Sequence, residues 1–286
     1  MKKIAVMADS NCGMRKDEAE ELGCYLLPMP VYVNDILYYE NATITRDEFF
    51  EHQSRGAEIK TSQPIMGDLL EAWDALLEEY EEVVYIPMSS GLSGSCASAI
   101  MAAQDYEGRV HVVDNQRISV PQAQAVKDAL ALAKEGKSGA QIKEYLLETK
   151  ADSSIYITVD TLTYLKKGGR ITPAAAAFGT VLNIKPVLTI QGDKLDAFTK
   201  VRGMKIAKKR MIEALEADRS TRFADVPADK LQLQAAYTCT EEEALEWKTQ
   251  LETHFGLTCD MSALPLSIAC HTGPGAVGAA FTRRYE

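Results

Sequence analysis

Apolar residues in the first half of the chain fall into short runs separated by stretches with helical spacing. The run Lys3 to Ala8 predicts a strand, Arg15 to Leu22 a helix, and Tyr25 to Val33 a further strand that Pro28 and Pro30 would keep at a sheet edge. Leu69, Leu70, Trp73, Leu76, Leu77 and Tyr80 recur on one helical face and lead into a strand over Val83 to Met88. Helices over Ser95 to Gln104, Gln122 to Lys134 and Ala140 to Glu148, with a strand over Val110 to Val113, complete the pattern. Alternating strands and helices predict a mostly parallel sheet covered by helices. Asp9-Ser10, Ser89-Ser90 and Asp114-Asn115 then fall just past the carboxyl ends of strands, where open α/β sheets hold their ligands.

The second half reads differently. A strand over Ile155 to Val159 precedes a short helix, Thr161 to Leu165, and the basic loop Lys166 to Arg170. Thr172-Pro173 supplies a cap and a first-turn proline for a helix through Ala174 to Leu182. Pro186 to Ile190 and Leu195 to Val201, joined through residues 191–194, form a hairpin pattern. A helix over Met204 to Ala217, a strand near Leu231 to Tyr237, a helix over Glu241 to His254 and a strand over Leu266 to Cys270 follow. The expected architecture is α/β in two domains, residues 1–152 with a parallel sheet and residues 153–286 with a mixed one.

Length and composition agree: 286 residues suit two domains, and 46% hydrophobic with 25% charged residues is ordinary for a soluble globular protein. The net charge of -10 argues against a nucleic-acid binder, although it leaves room for a local basic patch. Asp9 cuts the first apolar run well short of a secretory core and no stretch reaches membrane-spanning length, so no integral membrane segment is expected, and a cytoplasmic location is. The six cysteines are dispersed without metal-like pairing, which predicts buried free thiols and no metal site.

The chemistry concentrates in Ser89-Ser90-Gly91-Leu92-Ser93-Gly94-Ser95. Gly91 and Gly94 let backbone N–H groups approach a ligand, and a helix starting near Ser95 would aim its positive end at the same place. An anion or carboxylate is the natural guest; a capped helix entry with a serine-rich turn is the competing reading. The phosphate-binding loop is excluded because its lysine is absent. The serine-hydrolase elbow G-x-S-x-G is matched except for its last glycine, and Asp160 and His271 follow Ser93 in order, so an acyl-ester hydrolase with Ser93 as nucleophile stands as the alternative. Thr61-Ser62-Gln63-Pro64 offers either a helix entry or a second pair of hydroxyl donors. Gly168-Gly169-Arg170 presents a fork-shaped cation after a tight turn, and His271, ahead of Gly273-Pro274-Gly275, is expected at a strand end.

Taken together, Asp9-Ser10, Thr61 to Pro64, Ser89-Ser90 with Leu92-Ser93-Gly94, Tyr164 to Ile171, Asn183 to Pro186, Lys200 with Arg202, and His271 with Gly273 to Ala276 resemble the DegV family of bacterial fatty-acid-binding proteins. The resemblance implies two α/β domains with a long-chain fatty acid in a tunnel between them. It implies that Thr61, Ser62, Ser93 and Gly94 bind the carboxylate, and that Arg170 and His271 stand at the pocket mouth and support phosphoryl transfer. It further implies a carrier that presents its acid to a separate fatty acid kinase for acyl-phosphate formation, with no cofactor and no catalytic residue of its own. A regulatory protein that inherits the lipid pocket is the third reading. Three departures from the family pattern bear on tunnel shape more than on the head group: Asp114-Asn115, the glycine-free Ser119 to Ala123, and Ile65, which weakens a local helix cap.

Overall fold

The first apolar run forms β1 (Lys2–Asp9) in the computed structural model, which describes residues 2–178, 184–191 and 194–285. It is followed by α1 (Lys16–Leu22), β2 (Cys24–Leu27), β3 (Pro30–Val33), β4 (Ile36–Tyr39), α2 (Arg46–Ser54) and β5 (Ile59–Thr61). Then come α3 (Met66–Glu79), β6 (Tyr80–Ile86), α4 (Ser95–Ala102), β7 (Val110–Val112), α5 (Val120–Lys134) and α6 (Gly139–Glu148). Strands β2-β1-β6-β7 make a four-stranded sheet, parallel throughout. Alternate residues of β1 feed opposite faces: Val6 and Ala8 pack with Val126, Ile142 and Leu146 of α5 and α6, while Ala5 and Met7 pack with Leu69, Trp73 and Ala99 of α3 and α4. Because helices cover both faces, the strands read as continuous apolar runs rather than alternating ones.

The prolines in the Tyr25 to Val33 run mark a change of sheet. Instead of one edge strand, β2 ends at Leu27, and Pro30 opens β3, which lies between β4 and β5 in a separate antiparallel sheet. Proline tolerates that position because it is the first residue of the strand. Helix α2 escaped the hydrophobic pattern because Phe49 is its one buried apolar residue; its readable signal is the Thr45/Glu48 capping box, present in full.

The remaining elements are β8 (Ser153–Thr158), α7 (Thr163–Gly168), α8 (Pro173–Ala176), β9 (Ile184–Ile190), β10 (Asp196–Arg202), α9 (Met204–Ser220), β11 (Leu231–Tyr237), α10 (Glu241–Phe255), β12 (Cys259–Ala263), α11 (Leu266–Thr272) and β13 (Val277–Arg283). The sheet runs β10-β9-β8-β13-β11-β12 and is mixed: β11 and β12 are parallel, the other neighbours antiparallel. Met211 and Leu215 of α9 and Trp247 and Leu251 of α10 pack with Val187, Leu233 and Phe281 of the sheet.

Three expectations are corrected here. The run Leu266 to Cys270 is helix α11, because five apolar-rich residues after Pro265 carry no periodicity that separates strand from buried helix. Strand β13, built largely from small residues, takes the central place instead. Lys166, Lys167 and Gly168 belong to the last turn of α7 and not to a loop, with Gly169 closing the helix in the left-handed region at φ 68°. Helix α8, capped by the Thr172 hydroxyl, spans only Pro173–Ala176; the rest of the predicted helix, from residue 179 on, lies outside the described residues, as do Asn183 and the hairpin residues Gly192 and Asp193.

The chain divides into two compact units, Met1–Lys150 with Pro265–Ser267 and Tyr285–Glu286, and Ala151–Leu264 with Ile268–Arg284. No helix among the described residues is long and apolar enough to cross a membrane.

Candidate functional site

In the first unit, the buried carboxylate of Asp9 organises the loop after β6. Its Oδ2 accepts the Met88 N–H at 2.8 Å, and its Oδ1 accepts Gln122 Nε2 at 3.0 Å and the Asn11 N–H at 3.2 Å. Burial raises the Asp9 pKa, against which these bonds pull down. Beyond Met88, the serines take distinct jobs. Ser89 is buried, and its Oγ accepts the Gly91 N–H at 3.2 Å. Ser90 donates its hydroxyl to Asp114 Oδ2 at 2.6 Å and its N–H to Asp114 Oδ1 at 3.2 Å. These two build the turn.

Ser93 differs. Its Oγ accepts both the Ser95 N–H, at 3.2 Å, and the Ser95 hydroxyl, at 3.0 Å. An alcohol that accepts two bonds directs its own hydrogen elsewhere, and this one sits at the start of α4 beside the exposed Gly94. The positive end of α4 adds to the donor character of the turn.

Thr61 ends β5, half-buried, and pairs with Val31 of β3. Ser62 is exposed and donates its hydroxyl to the Gln63 carbonyl at 2.8 Å. Neither hydroxyl caps α3, whose N-cap Ile65 makes no side-chain bond. The segment reaches the turn through a residue that sequence reasoning passed over: Gln63 Oε1 accepts the Ser98 hydroxyl of α4 at 2.9 Å, and a Cβ on Gly94 would lie 3.8 Å from the same oxygen. Thr61, Ser62, Ser93 and Gly94 therefore belong to two segments joined by the Gln63–Ser98 hydrogen bond.

In the second unit, His271 occupies the last turn of α11 and Arg170 follows the end of α7. A Cβ on Gly168 would lie 2.1 Å from His271 Nδ1, and a Cβ on Gly273 would lie 2.3 Å from Tyr164 Cδ2. Each segment thus offers a glycine to the ring of the other. Thr238 fastens the turn after α11, donating its hydroxyl to the Gly273 carbonyl at 2.6 Å and accepting the Ala276 N–H at 2.9 Å. Arg170 donates to the Gly168 carbonyl at 2.5 Å. Burial, and then the Arg170 charge, push the His271 pKa down to about 4, so near neutral pH the imidazole is uncharged. Asp160, the acid of the hydrolase alternative, is instead paired with Lys185, a lysine whose side chain is 14% exposed.

Net charge also concealed an asymmetry. Between residues 161 and 212 Lys and Arg outnumber Asp and Glu eleven to two, within a chain whose net charge is -10. The signal was available in the sequence and required only a windowed count.

These features define a two-unit α/β protein with a parallel sheet in one unit and a mixed sheet in the other. The chain belongs to the DegV family: the family model described as "Uncharacterised protein, DegV family" matches residues 3–284. A DegV domain-containing protein of Deinococcus radiodurans is 32% identical over 279 residues, covering 97% of this chain and 97% of that one. Among solved structures, a DegV family protein from Thermus thermophilus described by its fatty acid binding superposes with a TM-score of 0.89 at 32% identity, covering 98% of this chain and 99% of the other. DegV of Bacillus subtilis, described as a fatty acid binding protein, gives a TM-score of 0.86 at 28% identity over 99% of this chain and 100% of that one. A stearic acid-binding protein from Eubacterium ventriosum gives 0.88 at 26% identity, with 100% and 99% covered.

Proposed function

We propose that this chain binds one long-chain fatty acid, with its carboxylate received by Thr61, Ser62, Ser93 and Gly94, and presents it to a separate fatty acid kinase that forms the acyl phosphate. The observation that carries this reading is the bridge from Gln63 to Ser98, which gathers hydroxyl-bearing residues and a glycine-flanked helix start in one place. Similarity over nearly the whole chain to proteins described as fatty acid binding supports the choice of ligand. In this reading the acyl tail occupies the interdomain tunnel that the family resemblance implies.

The energetics assign separate roles to tail and head. About fourteen methylenes leaving water at ~0.8 kcal/mol each contribute on the order of 10 kcal/mol before ordering costs. A hydrogen bond to a charged group adds about 1.5–3 kcal/mol. The tail dominates affinity, while the hydroxyls and N–H groups fix orientation and keep the ionised head from being buried unpaired. Arg170 and His271 stand at the mouth, where a permanent cation and a neutral imidazole suit a phosphoryl group in transit. The carrier requires no cofactor and performs no bond-making step itself, and its place is the cytoplasm, beside the kinase.

The deciding experiment is mass spectrometry of an organic extract of the purified protein, followed by titration of the delipidated chain with fatty acids of increasing length. A co-purified long-chain acid and saturable rebinding are expected. An extract without lipid, together with no rebinding at any length, overturns the proposal.

A further inference from the structure

One buried side chain joins the head-group turn to the helix that bears His271. Asn11 lies in the short turn Ser10–Cys12 after β1 and is 1% exposed. Its backbone N–H donates to Asp9 Oδ1, and the other oxygen of Asp9 holds the Met88 N–H immediately ahead of the serine turn. Its side-chain Nδ2 donates to Met88 Sδ at 3.1 Å, while its Oδ1 accepts the Ser267 hydroxyl at 2.6 Å. Ser267 is the second residue of α11, and His271 follows four positions later, one turn along the same helical face. The start of this helix is held a second time by Glu40 Oε2, which accepts the Leu266 N–H at 2.8 Å.

The two ends of the Asn11 amide are unequal. A thioether is a weak acceptor, so the contact with Met88 adapts readily, whereas the short bond to a buried hydroxyl is firm and costly to leave unmade. Met88 and Asn11 are tied more firmly through Asp9, whose carboxylate accepts both backbone N–H groups; displacement of Met88 reaches Asn11 by that route, and Asn11 moves with Ser267. An aspartate there would lose the donor to sulfur and place a second carboxylate beside Asp9; an aliphatic residue would lose both bonds.

Resting on the fatty-acid reading above, we propose that Asn11 is a positioning residue that transmits the state of the head-group turn to α11, and so sets where His271 stands when the ligand is bound.

The test uses the full-length delipidated chain, palmitate as the probe, and the Cε1–H resonance of His271 followed by NMR at fixed pH. In the wild type, saturation with palmitate is expected to shift that resonance. In Asn11→Ala and Ser267→Ala, palmitate should still bind, within about fivefold of wild type, yet most of the shift should be lost. The double variant should be no worse than either single one, and Ser267→Thr, which keeps a hydroxyl, should restore the response. Should Asn11→Ala fail to fold, Ser267→Ala decides alone. A full His271 shift in folded, palmitate-binding variants, or palmitate binding by the wild type with no shift, overturns this inference and leaves the fatty-acid reading intact. Absence of palmitate binding by the wild type overturns both.

Discussion

In the proposed reading Ser93 receives the head group and His271 stands at the mouth, and each has a measurable signature. Ser93 holds its place through bonds it accepts from Ser95, so replacing it with alanine removes the proposed donor to the ligand without removing Ser89 or Ser90, which build the loop. Ser93→Ala should weaken palmitate binding by about 10- to 100-fold, the worth of one charge-assisted bond; an unchanged isotherm would remove Ser93 from the head-group role. His271 carries a folded-state pKa of about 4 against an ordinary 6.5. As pH falls through that window the unfolded chain takes up a proton that the folded one refuses. His271 therefore contributes stability that is full above about pH 6.5 and lost progressively toward pH 4. At about 1.4 kcal/mol per unit, the loss is at most ~3 kcal/mol. His271→Gln should flatten this part of a melting-temperature profile, and an unchanged slope would assign it to other groups. What the sequence shows at this scale is chemical type. Hydroxyls between glycines and an arginine after paired glycines are visible in one dimension, whereas the Gln63–Ser98 and Asn11–Ser267 bonds join residues that only folding brings together.

Among the elements, the strands of the parallel sheet were legible because both faces are buried, which leaves unbroken apolar runs. The same rule misled at Leu266 to Cys270, where a buried helix leaves an equally short apolar run. Strand β3 was read as part of one run with β2, and β4 was passed over; strands β5, β12 and β13 were missed because small and polar residues dilute their pattern. The packing of α7 against α11 offers a sharp test. Gly168 is helical, so alanine would ordinarily stabilise the helix by about 1 kcal/mol, but its Cβ would meet the His271 ring at 2.1 Å. Gly168→Ala should therefore cost about 1–3 kcal/mol in the wild type and become neutral or stabilising in a His271→Ala background. Chemical denaturation of the four proteins measures this directly, and equal costs in both backgrounds would show that the ring is not the obstacle.

At the scale of the whole molecule, charge is unevenly divided. The basic excess from residue 161 to 212 includes Arg170, Lys185, Lys200 and Arg202, while the rest of the chain is strongly acidic. Such separation steers an anionic partner surface or a phosphorylated head toward one part of the protein, and the effect weakens with salt. Replacing Arg170 with Gln or His271 with Ala should spare palmitate binding and lower acyl-phosphate formation in a reconstituted assay with a fatty acid kinase, by about 10-fold or more if each contributes one charge-assisted contact. Normal turnover in both variants would count against the mouth role. Overall charge alone, -10, gave no hint of this division because addition erases position.

Two late segments also return to the first unit. Ser267 meets Asn11, and Tyr285 donates its N–H to Asp128 Oδ1 at 3.1 Å while its ring stacks edge-on with Tyr145. On the ribosome, residues 1–150 leave the exit tunnel long before either partner has been translated. The N-terminal lobe is thus made before two of its own contacts can form, and a nascent chain stalled ahead of Ser267 would leave the Asn11 side-chain amide oxygen without its hydroxyl.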